Sequence, residues 1–215
     1  MTDFPSGPRG DVRALPPAFA EHARRFYAEG GTPVAPRMAA TVLLLRNTPE
    51  LEVFMIRRAA TMAFAGGLYA FPGGRAEERD AGIEDTAARE LAEETGVTGA
   101  ELRAWSRWVT PEFEPRRYDT WFYVAALPGG QSPANLGTEA ERVHWLRPSQ
   151  ALETHAGAML PPTAVTLAEL AGHASAEAVL TAALGRDLAP ILPRVILDER
   201  PRMAIPGDAD YAEAL

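Results

Sequence analysis

A chain of 215 residues with 47% hydrophobic and 23% charged side chains has the composition of an ordinary globular protein, long enough to bury a real core. All 21 basic residues are arginine and cysteine is absent, which excludes a lysine Schiff base, a phosphate-loop lysine, a thiol nucleophile, a disulfide, an iron–sulfur cluster and a zinc ribbon. The 29 acidic residues bring the formal net charge to −8, which argues against broad binding to nucleic acid or an anionic membrane and leaves room for a local arginine pocket.

The first residues, MTDFPSGPRGDVRALPP, lack the basic and apolar regions of a secretory signal, and no uncharged stretch is long and unbroken enough to span a bilayer. With cysteine absent, the expected location is cytoplasmic. Residues 1–36 carry Pro5, Pro8, Pro16, Pro17, Pro33 and Pro36 around one amphipathic segment, Ala18 to Glu29, whose Phe19, Ala23 and Phe26 share a face. They read as a loose arm with one helix, and residues 37–215 as one domain. MAATVLLLR and LEVFMIRR, parted by Asn47-Thr48-Pro49-Glu50, form a hairpin. Thr61 to Gly74 is a glycine-rich loop, followed by an acidic stretch and a helix from Glu84 to Thr95 that stops at Gly96. Leu102 to Thr110, Tyr118 to Ala126 and Arg142 to Leu146 are aromatic-rich strands. From about residue 150 the chain turns helical, with Thr163 to Ala171 and Ala174 to Leu184 as helices after Pro161-Pro162. The tail ends with PRVILDER and IPGDADY, and residues from about 150 to 215 are expected to form a C-terminal helical extension. This order predicts an α+β or layered α/β domain.

The chemistry concentrates in RELAEETGV, residues 89–97. On a helix Glu90, Glu93 and Glu94 stand at i, i+3 and i+4 and share one face. Like charges at that spacing repel, and a bound divalent cation would turn the repulsion into attraction. A solvated acidic face would carry the same triplet; here Ala87, Ala88 and Leu91 allow the other face to pack on a sheet, and Arg89 is placed to orient Glu93. Phe71-Pro72-Gly73-Gly74 lets backbone approach a ligand closely, with Gly74 able to offer a carbonyl. Oxygen donors of this kind select a hard cation, Mg²⁺ or Mn²⁺.

FPGG followed by REL-A-EE-T-GV resembles the Nudix box, the signature of Mg²⁺-dependent hydrolases that split a diphosphate joining a nucleoside to another group. Residues 89–97 match every fixed position of its second half. Fourteen residues separate Gly74 from Arg89, one more than in the family pattern, so the acidic position of the first half falls on Ala81. Asp80 is the nearest substitute, ahead of Glu77, Glu78 and Glu84. The resemblance implies the Nudix fold, an α/β/α sandwich around a mixed β-sheet, here with extra C-terminal helices. It implies that Glu90, Glu93 and Glu94 are metal ligands, that Glu90 also holds or deprotonates the attacking water, and that Arg89 is a salt-bridge partner. It also implies a further carboxylate from outside the box, Glu139 or Glu141. Dimers are frequent in such a family, so a homodimer is expected.

Segments 53–74, 108–128, 160–163 and 205–211 resemble one branch of the family, the coenzyme A and acyl-coenzyme A diphosphatases, which release 3′,5′-ADP. The Leu-Arg-any-His element that many of those enzymes carry before FPGG is missing. Such a substrate needs cationic contacts, for which Arg57, Arg58, Arg75, Arg116 and Arg117 are the candidates. Trp108, Trp121, Phe122 and Tyr123 read first as sheet core, with base stacking as the alternative. His22, His144, His155 and His173 show neither metal nor triad spacing. Met62, Phe64 and Tyr69 pack on the core or line a channel for an acyl or pantetheine arm. The alternative functions are hydrolysis of ADP-ribose or another nucleoside diphosphate derivative, and a Nudix-fold binding module without catalysis.

Overall fold

A computed structural model of the protein describes residues 14–15, 17–61, 66–137 and 140–215. Strand β1 (Arg37–Asn47) organises the sheet. Its residues 39–45 are buried without interruption, because both of its faces are covered and an apolar run replaces the usual alternation. Along one edge it pairs in parallel with β6 (Tyr118–Ala126), from Arg37 opposite Tyr118 to Leu45 opposite Ala126. Its other edge is divided. Leu45 to Asn47 pair with β2 (Leu51–Arg58), whereas Ala39 to Thr41 pair with β4 (Gly73–Arg75).

β2 turns away from β1 to take β3 (Tyr69–Ala70) and, on its other side, β7 (Ala140–Leu146). The glycine-rich loop fills the resulting splay: Val42 N donates to Pro72 O at 2.8 Å and the Thr41 hydroxyl to the same carbonyl at 2.7 Å. β5 (Arg103–Val109) lies antiparallel on β6 and completes a seven-stranded mixed sheet.

Alternation along β1 assigns its two faces. Ala40, Val42 and Leu44 pack with Ala87 and Leu91 of α2 (Ile83–Thr95). Leu43 and Leu45 join Trp105, Phe122 and Val124 beneath α3 (Pro148–His155), α4 (Pro161–Leu170) and α5 (Ala176–Ala183). The result is the expected α/β/α sandwich. α3, which has no separate signal in the sequence, starts with proline at its first turn, where the missing N–H is harmless. The C-terminal helices are pinned through Glu169. It accepts from Trp105 Nε1 at 2.8 Å and from Arg186 Nη2 at 2.8 and 2.9 Å, and the Arg186 guanidinium stacks 4.2 Å from the Trp105 ring centre.

A third cluster joins the two ends of the chain. α1 (Pro17–Ala28) buries Ala20 and Ala23 against Phe113, Val195 and Met203, the last two on β8 (Arg194–Ile196) and β9 (Arg202–Ala204). Leu15 N donates to Pro201 O at 2.9 Å. The described part of the expected loose arm is therefore docked, and the tail corrects the expectation of a helical extension from about 150 to 215, since β8 and β9 are two short strands. Residues 1–13 and 16, the rest of that arm, lie outside the described residues. No helix among the described residues is long and apolar enough to cross a membrane.

Candidate active site

α2 carries acidic residues in its first turn, favourable to its dipole, and ends at Gly96 (φ 77°), whose N–H caps Ala92 O at 2.9 Å. Arg89 is the hub of its polar face. Nε and Nη2 grip the two oxygens of Asp80 at 2.9 Å each, Nη1 donates to Glu90 at 2.8 Å and to Glu93 at 3.0 Å, and Nη2 also reaches Arg75 O at 3.0 Å. Asp80 further accepts from Glu77 N and the Thr86 hydroxyl, each at 2.9 Å. The Arg89 guanidinium, with these other donors, holds the Asp80 carboxyl well below the usual carboxylate range. In return, Asp80 and then Glu90 raise the already high pKa of Arg89. The one-residue offset in the loop is thus accommodated with Asp80 as the partner of Arg89, while Ala81 N donates to Asp85.

The glycines of β4 allow the acidic side chains to meet the sheet edge. A Cβ on Gly74 would stand 2.5 Å from Glu90 Oε1, and one on Gly73 would stand 2.4 Å from Ala40 O. Glu94 Oε2 accepts from Gly73 N at 2.9 Å. Among the described residues no three of His, Cys, Asp and Glu gather as a group that could hold a metal ion. In this arrangement Arg89 binds Glu90 and Glu93, and the Gly73 N–H donates to Glu94. The donor set still fits a hard cation in kind, being all carboxylate oxygen against a backbone without side chains.

Glu90, Glu93, Glu94 and Gly74 line one cavity of about 620 Å³. Arg58 and Arg75 line it too. The other three arginines do not. Arg57 donates weakly to Gly67 O at 3.5 Å, and Arg116 is exposed. Arg117 corrects an expectation: it is 8% exposed, and its Nε and Nη1 donate to Thr110 O at 3.0 Å and Val34 O at 2.8 Å. It fastens the linker before β1 and is not among the residues that line the cavity. Glu141 is exposed on β7, outside the cavity lining, and Glu139 lies outside the described residues.

Apolar side chains line the cavity as well. Phe19 of α1, Trp108 of β5, Phe122 of β6, Leu160 and Pro161 at the start of α4, and Met203 of β9 all contribute. Glu114 is half-buried beside them, and burial pushes its carboxyl up, opposed by the charge of His22. Phe19, Glu114 and Met203 carry no signal as site residues in the sequence. Only their place in the folded chain brings them here. Trp121 and Tyr123 fall on the α2 side of the sheet, where burial pushes the Tyr123 hydroxyl up to about 12. Tyr69 is buried and stacks on His155 at 4.3 Å between ring centres, so it packs on the core, as does His144 nearby, lowered by burial and by positive neighbours. Met62 and Phe64 lie outside the described residues.

A mixed sheet between helical layers, with a carboxylate-bearing helix set against a Pro-Gly-Gly strand edge, defines a class of protein before any comparison is made. Residues 35–165 match the family model described as NUDIX domain, and the chain belongs to that family. It is 26% identical over 178 residues to a Caenorhabditis elegans protein provisionally named nudix hydrolase 7, covering 62% of this chain and 60% of that one. It is 30% identical over 116 residues to NudL of Photorhabdus laumondii subsp. laumondii, an uncharacterized Nudix hydrolase, covering 54% of this chain and 62% of the relative. The chain thus spans about 60% of the length of these relatives. Among solved structures it is similar to a NUDIX hydrolase from Alicyclobacillus acidocaldarius, with a TM-score of 0.62 and 24% identity, covering 73% of this chain and 99% of the other. The NUDIX domain of Shewanella oneidensis NrtR, solved with ADP ribose, matches at a TM-score of 0.52 and 21% identity, over 73% of this chain and 97% of that domain. These two likenesses concern the fold.

Proposed function

We propose that the chain is a divalent-cation-dependent Nudix hydrolase that cleaves the diphosphate of coenzyme A or an acyl-coenzyme A, giving 3′,5′-ADP and phosphopantetheine or its acyl form. The observation that carries this reading is one cavity lined by the carboxylates of α2, by Arg58 and Arg75, and by apolar side chains. Glu90, Glu93 and Glu94 are the residues that would hold Mg²⁺ or Mn²⁺, with Gly74 leaving the space. Such an ion offsets diphosphate charge and lowers the pKa of water. Arg58 and Arg75 bind and orient the phosphates, for which guanidinium geometry is suited. Water attacks one phosphorus in line: its oxygen forms the new P–O bond, the bridging P–O bond breaks, and the proton passes to a carboxylate, the role this reading gives to Glu90. Arg89 holds Glu90 and Glu93 in register with Asp80 and so serves as a positioning residue. No covalent enzyme intermediate is needed.

The test is mass spectrometry of products after incubation with Mg²⁺ and a panel of coenzyme A, acetyl- and octanoyl-coenzyme A, ADP-ribose, NADH and nucleoside triphosphates. Release of 3′,5′-ADP is the expected result. A second reading, hydrolysis of ADP-ribose or a related nucleoside diphosphate, is favoured by the likeness in fold to a domain solved with that compound. Turnover of ADP-ribose with none of coenzyme A would select it. Silence across the panel, with Mn²⁺ also tried, would favour a binding module.

A further inference from the structure

The strand registers align Arg75, Ala39, Thr120 and Trp108 in one row across β4, β1, β6 and β5. All four residues line the cavity. Three strand spacings of about 4.8 Å each make the row roughly 14 Å long. A diphosphate, two tetrahedra sharing an oxygen, covers only a small part of that length. The row starts beside the carboxylates and ends at Trp108.

Phe19 and Met203 also line the cavity, as do Leu160 and Pro161, which follow Met159, the residue bridged to Tyr69 on β3. Phe19 and Met203 lie outside residues 35–165, the stretch matched by the family model. They are held in place by the cluster that joins the chain ends: Phe19 meets Phe113 edge to face at 6.1 Å, and Leu15 is tied to Pro201. Apolar side chains facing a cavity rather than one another are an incomplete core, and an apolar ligand group would complete it.

We infer that the apolar lining of the cavity is a subsite for an elongated apolar group carried by the diphosphate substrate, and that Phe19, Leu160 and Met203, supplied from outside the acidic helix, set the preference for it. The inference rests on the diphosphatase reading, and deepens it by naming the residues that distinguish an acyl-bearing substrate from a bare one. The group lies over Thr120 and Phe122, with its tip against Phe19 and Met203.

The experiment compares kcat/KM for octanoyl-coenzyme A with that for coenzyme A in the wild type, Phe19→Ala and Leu160→Ala. The ratio is taken within each protein, so differences in folded fraction cancel. The wild type is expected to favour the thioester by about tenfold or more, and each variant to lower that ratio at least about fivefold. A ratio that is unchanged in both variants, or a wild type without preference, would overturn the subsite. Leu160 is not part of the α1 cluster, so it keeps the test open if Phe19→Ala fails to fold. Should the wild type cut neither compound, the substrate reading falls, and the subsite is judged by tryptophan fluorescence with decyl diphosphate and inorganic diphosphate as probes. Tighter binding of decyl diphosphate that weakens in the variants supports it; equal binding of the two probes sinks it.

Discussion

Glu90, Glu93 and Glu94 come from neighbouring turns of one helix, whereas Phe19, Trp108, Leu160 and Met203, which also line the cavity, are drawn from almost the whole length of the chain. The acidic part is built by local rules: helical spacing brings Glu90, Glu93 and Glu94 to one face, and Arg89 is fixed by an aspartate nine positions away. The apolar part exists only after α1, the α4 start and β9 have met. Chemistry is thus encoded within a short stretch, and the shape that selects a substrate is distributed over the fold.

Substitutions in the two parts should separate accordingly. The largest effect is expected for Glu93→Gln, which should lower kcat for diphosphate hydrolysis by about 10²–10⁴. Because the Glu93 side chain is 49% exposed, its thermal midpoint should barely move in a calorimeter. Phe113→Ala strikes the other part. Phe113 is 1% exposed beneath α1, and its removal should destabilise the protein by about 3–5 kcal/mol in denaturant titrations. Hydrogen exchange should then rise more in residues 17–28 and 194–204 than in 83–95; an equal rise in both regions would break the comparison.

Two smaller effects sharpen it through pH. The Asp80 carboxyl is depressed by Arg89, so its stabilisation is complete above the usual carboxylate range and is lost as pH falls through its lowered value. Asp80→Asn should therefore lower the melting temperature at neutral pH, with the gap to wild type narrowing in acid. Glu114 is shifted the other way by burial, so its protonated form favours the fold below the usual range and that gain disappears as pH rises through its raised value. Glu114→Gln should melt slightly higher than wild type at neutral pH and alike in acid. The opposite order would show that Glu114 has a cationic partner stronger than His22.

The same division governs what could be read from the sequence. β1, β2, β5, β6 and α2 were legible to within a residue or two, because each is long and carries its own period. Asp80, preferred to Glu77, Glu78 and Glu84 as the substitute for the box's acidic position, makes the bidentate contact with Arg89. β3, β4, β8 and β9 have two or three residues each, too few for any period to show. Arg117 misled, since an arginine in a proline-flanked loop looks alike whether its donors meet phosphate or the carbonyls of Thr110 and Val34. Phe19 and Met203 could not have been paired at all: nothing in residues 17–28 or 202–204 refers to the other.

The bond from Leu15 to Pro201 also has a meaning in time. A ribosome adding about 5–20 residues per second needs roughly 10–40 s to travel between those two positions. During that interval α1 lacks Val195 and Met203 and can meet only Phe113 among its partners. α1 is therefore fully seated only after β8 and β9 have formed.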